Sequence, residues 1–222
     1  MIRGGWFRAH SGMMVAGAVA VVLVTGMMLV PADASQGDVQ RLMYVHVPAA
    51  WVGYLAFLVV FLASVGYLWR RTARLDHLAA ACAEVGVLFT AVAIASGSIW
   101  GKATWGKWWD WDPRLTTTAI MLLAYAAYLL LRQSIADRRR RARLAAVFGV
   151  LAFVNVPVVH FSVLWWRSLH QPPTILRPGD PTIDHLLLAQ LIASVAVFSL
   201  AFVWLVRERV RLERIREAVA DV

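Results

Sequence analysis

Cysteine is nearly absent from this chain. Its 222 residues hold one, Cys82, inside an apolar run, which excludes an internal disulfide, a thiolate zinc site and a dithiol redox pair. No C-x-x-C-H occurs, so nothing marks the chain for covalent attachment of a haem to itself. A Walker A loop is missing as well. Neither Gly101-Lys102-Ala103 nor Gly106-Lys107-Trp108 meets G-x-x-x-x-G-K-[ST], which excludes ATP hydrolysis by that route. Charge is scarce, at 16% of residues, and acids are outnumbered by bases, 13 to 22.

What the chain has in plenty is hydrocarbon. At 60% hydrophobic it carries more apolar surface than a soluble domain can hide, so lipid is its solvent. The net charge of +9 does not point to nucleic acid, because the basic residues sit in short clusters beside apolar runs, as membrane orientation requires. A span needs about 20 apolar residues. Six candidates meet that length, at roughly 12–31, 47–69, 78–100, 115–134, 144–166 and 185–206. The expected fold is an all-α integral membrane protein, one domain over 1–222, with six transmembrane helices and a tryptophan-rich loop between helices 3 and 4. The first run follows Arg3 and Arg8 and imitates a secretory signal, with Pro31-Ala32-Asp33-Ala34-Ser35 as a weak cleavage site; its full-span length reads as a retained helix.

Sixteen of the 22 Lys and Arg residues fall at the N-terminus, in the second-to-third and fourth-to-fifth loops and in the tail. That side is expected to be cytoplasmic, with both termini inside and the tryptophan loop outside. The inner loops are arginine-rich and carry no site. The tail mixes arginine with glutamate like a solvated helix.

Five of the eleven tryptophans lie between residues 100 and 115. Indole combines a flat apolar face with one N–H, so a cluster of them builds an aromatic shelf at a membrane interface. Asp112-Pro113 reads as the N-cap and first position of the fourth helix. If the preceding piece is helical, Trp105, Trp108, Trp109 and Asp112 share one side at i, i+3, i+4 and i+7, with Trp111 elsewhere. Of six histidines, His10 and His77 fall on the inner side, and His46, His160, His170 and His185 on or near the outer side. His46 stands where the second span begins and His170 just after the fifth ends, on the two outer loops that flank the shelf. Imidazole is a common axial ligand of haem iron. The plainer alternative is a pair of interfacial histidines beside an aromatic anchor. His160 lies within the fifth span, and His185 follows Asp184 at the start of the sixth. Glu84, in the third span toward its inner end, is expected to pair or snorkel.

The run Trp105-Gly106-Lys107-Trp108-Trp109-Asp110-Trp111-Asp112-Pro113-Arg114-Leu115-Thr116 resembles the WWD motif of haem-handling membrane proteins. With His46-Val47-Pro48-Ala49-Ala50, Asn155-Val156-Pro157 and Trp165-Trp166-Arg167-Ser168-Leu169-His170-Gln171, the chain is similar over 41–171 to the CcmC family of cytochrome c maturation. The resemblance implies that His46 and His170 are axial ligands of a b-type haem at the periplasmic surface of the bacterial inner membrane. The platform would be Trp105, Trp108, Trp109, Trp111, Asp112 and Arg114. It also implies transfer of haem to the periplasmic chaperone CcmE, with the small protein CcmD and the ABC subunits CcmA and CcmB as partners, and no enzyme activity of this chain's own. Lys102, Lys107, Arg114 and Arg167 are all candidates to meet the haem propionates, and the sequence does not choose among them. Two alternatives have their own signatures. A b-type electron-transfer cytochrome needs histidine pairs within helices, and a permease for haem or a small solute needs broken helices or polar pairs at mid-membrane. The sequence shows neither.

Overall fold

The computed structural model describes residues 2–170 and 183–220, and side chains from residue 10 onward except those of 217 and 220. Gln171, Pro172, Pro173 and Arg177 lie outside the described residues. Helix α1 (Ile2–Val24) ends in a π-turn at Thr25–Leu29. A 3-10 turn at Asp38–Leu42 then feeds directly into α2 (Met43–Arg70). Next come α3 (Ala73–Trp105), α4 (Pro113–Ser134), α5 (Arg138–Phe153), α6 (Asn155–Trp165) and α7 (His185–Ala220). Six helical stretches are long and apolar enough to cross a membrane, α5 and α6 together forming the fifth. The core is the α2–α3 pair with α4, α5 and α7 around it. Its centre holds the stacked rings of Phe57 and Tyr125, 3.6 Å apart.

Three boundaries differ from expectation, each for a local reason. Helix α2 begins before His46, because the 3-10 turn continues into it without a break. Helix α3 runs on through Trp100 to Trp105 and stops at Gly106, whose φ of 76° is the left-handed cap that glycine adopts at no steric cost. The expected short helix carrying Trp105, Trp108, Trp109 and Asp112 on one side therefore does not form. Asp112 is extended, and its carboxylate caps α4 with Pro113 in the first turn, as expected. The fifth span is broken at Val154, contrary to the reading that no helix is interrupted. Pro157 has no N–H to give to the Phe153 carbonyl, and α5 ends at that residue. The Asn155 amide donates across the break to the Thr117 carbonyl at 2.8 Å.

The bundle has two chemically distinct ends. At one end the arginines are tied to acids of α3: Arg132 grips Asp76 through both oxygens, at 2.5 and 2.9 Å, and Arg209 of α7 pairs with Glu84. Glu84 thus pairs, as anticipated. At the other end the 30–42, 106–112 and 166–170 segments converge, bringing the tryptophans and the two outer histidines together.

Candidate functional site

Helix α2 presents His46 against α3, where its Nδ1 lies 2.8 Å from the Ala93 carbonyl oxygen. A carbonyl only accepts, so Nδ1 carries a proton, and in the neutral ring Nε2 is the nitrogen with a lone pair to offer. Gly97 makes room for the ring: a Cβ there would stand 2.8 Å from His46 Cε1 and 3.0 Å from Nδ1. Trp100 meets the same ring edge-on, with centroids 5.8 Å apart. Its indole N–H is turned away and donates to Gln36 Oε1 at 3.0 Å.

His170 comes from the segment that follows α6, and Asp112 holds that segment in place. Asp112 Oδ1 accepts from the Arg114 amide at 2.9 Å and the Leu115 amide at 3.4 Å, which is the helix cap. Its Oδ2 accepts from the Leu169 amide at 2.7 Å, stitching the two loops together. Burial pulls the Asp112 carboxyl up, but the Ser168 hydroxyl and the Leu169 and Arg114 amides outweigh it and hold it below the usual carboxylate range. His170 Nδ1 lies 3.4 Å from Asp112 Oδ1, an electrostatic tether rather than a straight hydrogen bond. Burial, with the Arg114 guanidinium nearby, outweighs that carboxylate and pushes His170 down to about 4. The ring is therefore neutral at neutral pH. The Trp105 indole flanks it at 5.0 Å, tilted by 68°.

Both imidazoles line one cavity of about 60 Å³, whose wall includes Tyr54, Thr118, Met121 and Arg114. That volume takes a few waters. It is far below the roughly 300–1,000 Å³ of pockets that engulf drug-sized ligands. None of the tryptophans walls it. Trp108 and Trp111 are 60% and 77% exposed, with Trp109 edge-on to Trp111 at 5.8 Å, so the loop offers its indoles outward beside the cavity mouth.

Three of the four candidate cations are occupied or remote. Lys102 donates to the Gly106 carbonyl at 2.9 Å, Lys107 pairs with Asp110 at 2.7 Å, and Arg167 is exposed outside the cavity. His160 leans edge-on against Tyr54 at 6.3 Å, from the outward face of α6. His185 begins α7, with Asp184 capping through the Leu186 amide at 2.8 Å. Sequence reasoning passed over Tyr54 and Gly97. Tyr54 had a signal, since 46, 50 and 54 recur at helical spacing, whereas nothing in the sequence marks Gly97 as the space behind a ring.

Among the described residues no three His, Cys, Asp or Glu side chains converge as a metal cage. Two imidazoles, one bonded through Nδ1 to the Ala93 carbonyl and the other tethered to Asp112, suit a metal that brings its other ligands with it, and an iron porphyrin meets that description. The donor chemistry fits; the cavity admits an edge of such a ring, not the whole.

The family described as Heme exporter protein C matches residues 5–221. The chain is 37% identical over 210 residues to Heme exporter protein C of Bradyrhizobium diazoefficiens, covering 93% of this chain and 80% of that protein. It is 38% identical over 183 residues to the Escherichia coli K12 protein of the same name, covering 81% and 74% respectively. A Marchantia polymorpha protein, described as a putative cytochrome c biosynthesis ccmC-like mitochondrial protein, is 31% identical over 189 residues, or 85% of this chain and 80% of that one.

Proposed function

The chain belongs to the Heme exporter protein C family, and from that premise we propose that it holds b-type haem between His46 and His170 and passes it to the chaperone CcmE. As a multi-pass member of that family it has a role in haem handling for cytochrome c maturation. We propose also that the site faces the periplasm from the inner membrane, within an assembly with CcmD, CcmA and CcmB. The concentration of arginine at the opposite end of the bundle supports that orientation. The observation that carries the reading is one cavity faced by both imidazoles, His46 bonded to the Ala93 carbonyl and His170 neutral.

When bound, haem would supply an iron for His46 and His170 to hold. The chain's own work is positional. His46 is fixed on rigid helix by the Ala93 carbonyl and the space over Gly97. His170 is brought to the same cavity by the Asp112 stitch. The exposed indoles of Trp108 and Trp111 give an apolar face beside it, with Trp105 and Trp109 behind. With both histidines on the iron, no coordination position would be left for oxygen, which would suit a carrier.

The purified protein is expected to take up haem with a six-coordinate, low-spin spectrum and to co-isolate with the chaperone only when haem is present. A high-spin spectrum, or association indifferent to haem, overturns the proposal. Gly97→Ala tests the His46 half. The new methyl turns the ring off the Ala93 carbonyl, and haem affinity is expected to drop by about 10–100-fold, as when an outer-shell partner of a metal ligand is lost. Unchanged affinity in a haem titration shows that the ring position does not matter.

A further inference from the structure

We propose that Gln36, in the loop before α2, is a positioning residue for His46: its side-chain oxygen holds the Trp100 indole against the imidazole and so fixes the plane of that ring. The inference rests on the reading that His46 binds iron. It adds a role for the 31–42 loop, which carries neither histidine nor tryptophan.

The loop is pinned at both ends. Asp33 Oδ1 accepts from the Ser35 amide at 2.9 Å, the Gln36 amide at 2.8 Å and the Ser35 hydroxyl at 2.6 Å, the turn a short acidic side chain makes with its own backbone. The Gly37 amide returns to the Asp33 carbonyl at 2.9 Å, with a φ of 60° that the missing Cβ allows. Beyond it, Arg41 donates to the Met27 and Val30 carbonyls, at 3.0 Å each, where the π-turn after α1 ends. The backbone that carries Gln36 is therefore fixed from either side.

From there Gln36 Oε1 accepts the Trp100 indole N–H at 3.0 Å, across 64 residues of sequence. An indole in packed surroundings needs a partner for that N–H, and this one packs against the cluster of Val30, Met43, Tyr44, Leu187 and Leu191. The Ala93 carbonyl anchors the His46 ring at a single atom, Nδ1. One bond leaves a ring free to tilt, because the terminal torsion of histidine is broad. Gly97 has no side chain to oppose that tilt. Ser96 turns its hydroxyl to the Val92 carbonyl at 2.7 Å and gives His46 only a long contact of 3.5 Å. The Trp100 indole, 5.8 Å from the imidazole and inclined by 83°, supplies the stop. Without Gln36 the indole N–H must find another acceptor, and the stop is released.

The test uses the full-length protein in detergent. Gln36→Leu removes the acceptor at nearly the same size, and Gln36→Glu returns an acceptor oxygen. In the haem-free protein the Trp100 indole N–H, identified by its loss in Trp100→Phe, is expected to exchange with deuterium about 3–10-fold faster in Gln36→Leu, the scale of one neutral hydrogen bond. With haem bound, the g values of the ferric low-spin resonance report the angle between the two imidazole planes. They are expected to shift in Gln36→Leu and to return in Gln36→Glu, which a general loss of stability would not produce. In the Trp100→Phe background Gln36→Leu is expected to add nothing, since it acts through that indole. Unchanged exchange in Gln36→Leu overturns the hold on Trp100. Faster exchange with unchanged g values overturns the link to His46, as does a g-value shift that persists at full size without the indole. A wild type lacking the low-spin resonance overturns the axial pair instead, while exchange in the haem-free protein still reads the Gln36 contact alone, so the failures are distinguishable.

Discussion

Alanine at His46, or at His170, is expected to abolish the six-coordinate low-spin spectrum and to weaken haem retention on the order of a hundredfold or more, beyond the 10–100-fold attached to an outer-shell contact. Each substitution removes one of two donors, and nothing nearby replaces it. Thr90 and Thr118 are turned to backbone carbonyls, and His160 and His185 do not line the cavity. The two variants differ in a second respect. His170 is neutral in a buried place, so removing it leaves Asp112 capping α4 and bonded to Leu169. The His46 variant opens space beside Gly97 and frees the Ala93 carbonyl. Added imidazole should restore the low-spin spectrum in both, and more readily for His46→Ala, where the vacated space is enclosed. A low-spin spectrum persisting without added imidazole in either variant refutes the axial pair.

Asp112 carries the second large effect, because one carboxylate does two jobs. As a cap it serves the amides of Arg114 and Leu115; as a stitch it holds Leu169 and orients His170. Alanine loses both, at a cost of about 1 kcal/mol for the cap and about 10–100-fold in haem affinity for the orientation. Asparagine separates the two jobs. It caps helices about as well as aspartate, yet with its oxygen on the cap its NH₂ meets the Leu169 N–H, donor against donor. Asp112→Asn is therefore expected to melt near wild type while its haem affinity falls toward that of Asp112→Ala. Thermal melting followed by circular dichroism, with a haem titration on each variant, reads both quantities. Equal loss of stability in both variants, with haem affinity intact, makes Asp112 a cap and nothing more.

Much of this was legible in the sequence for definite physical reasons. Lipid makes span length and charge placement readable, so six helices and the sorting of arginine to one end followed from composition alone. The Asp112-Pro113 cap is a local rule obeyed locally. Errors arose where a residue acts on something distant in sequence or simply ends an element. Gly106 stops α3 and prevents the tryptophans from sharing one helical face. Pro157 divides the fifth span by depriving Phe153 of its donor. The bond between Asp112 and Leu169 joins residues 57 apart, and no periodicity reveals it. For the same reason the sequence does not show which of the four cations is already bonded, since that depends on the acceptor each has found.

A cleft with room for a few waters has a corollary for traffic. On the proposed function, a carrier this shallow would not swallow its cargo. A flat molecule held by the two imidazoles would keep most of its rim outside the helices, so a second protein could take hold of it before the first let go. Handover would then need no tunnel through the bundle, only an approach from the side where the indoles stand.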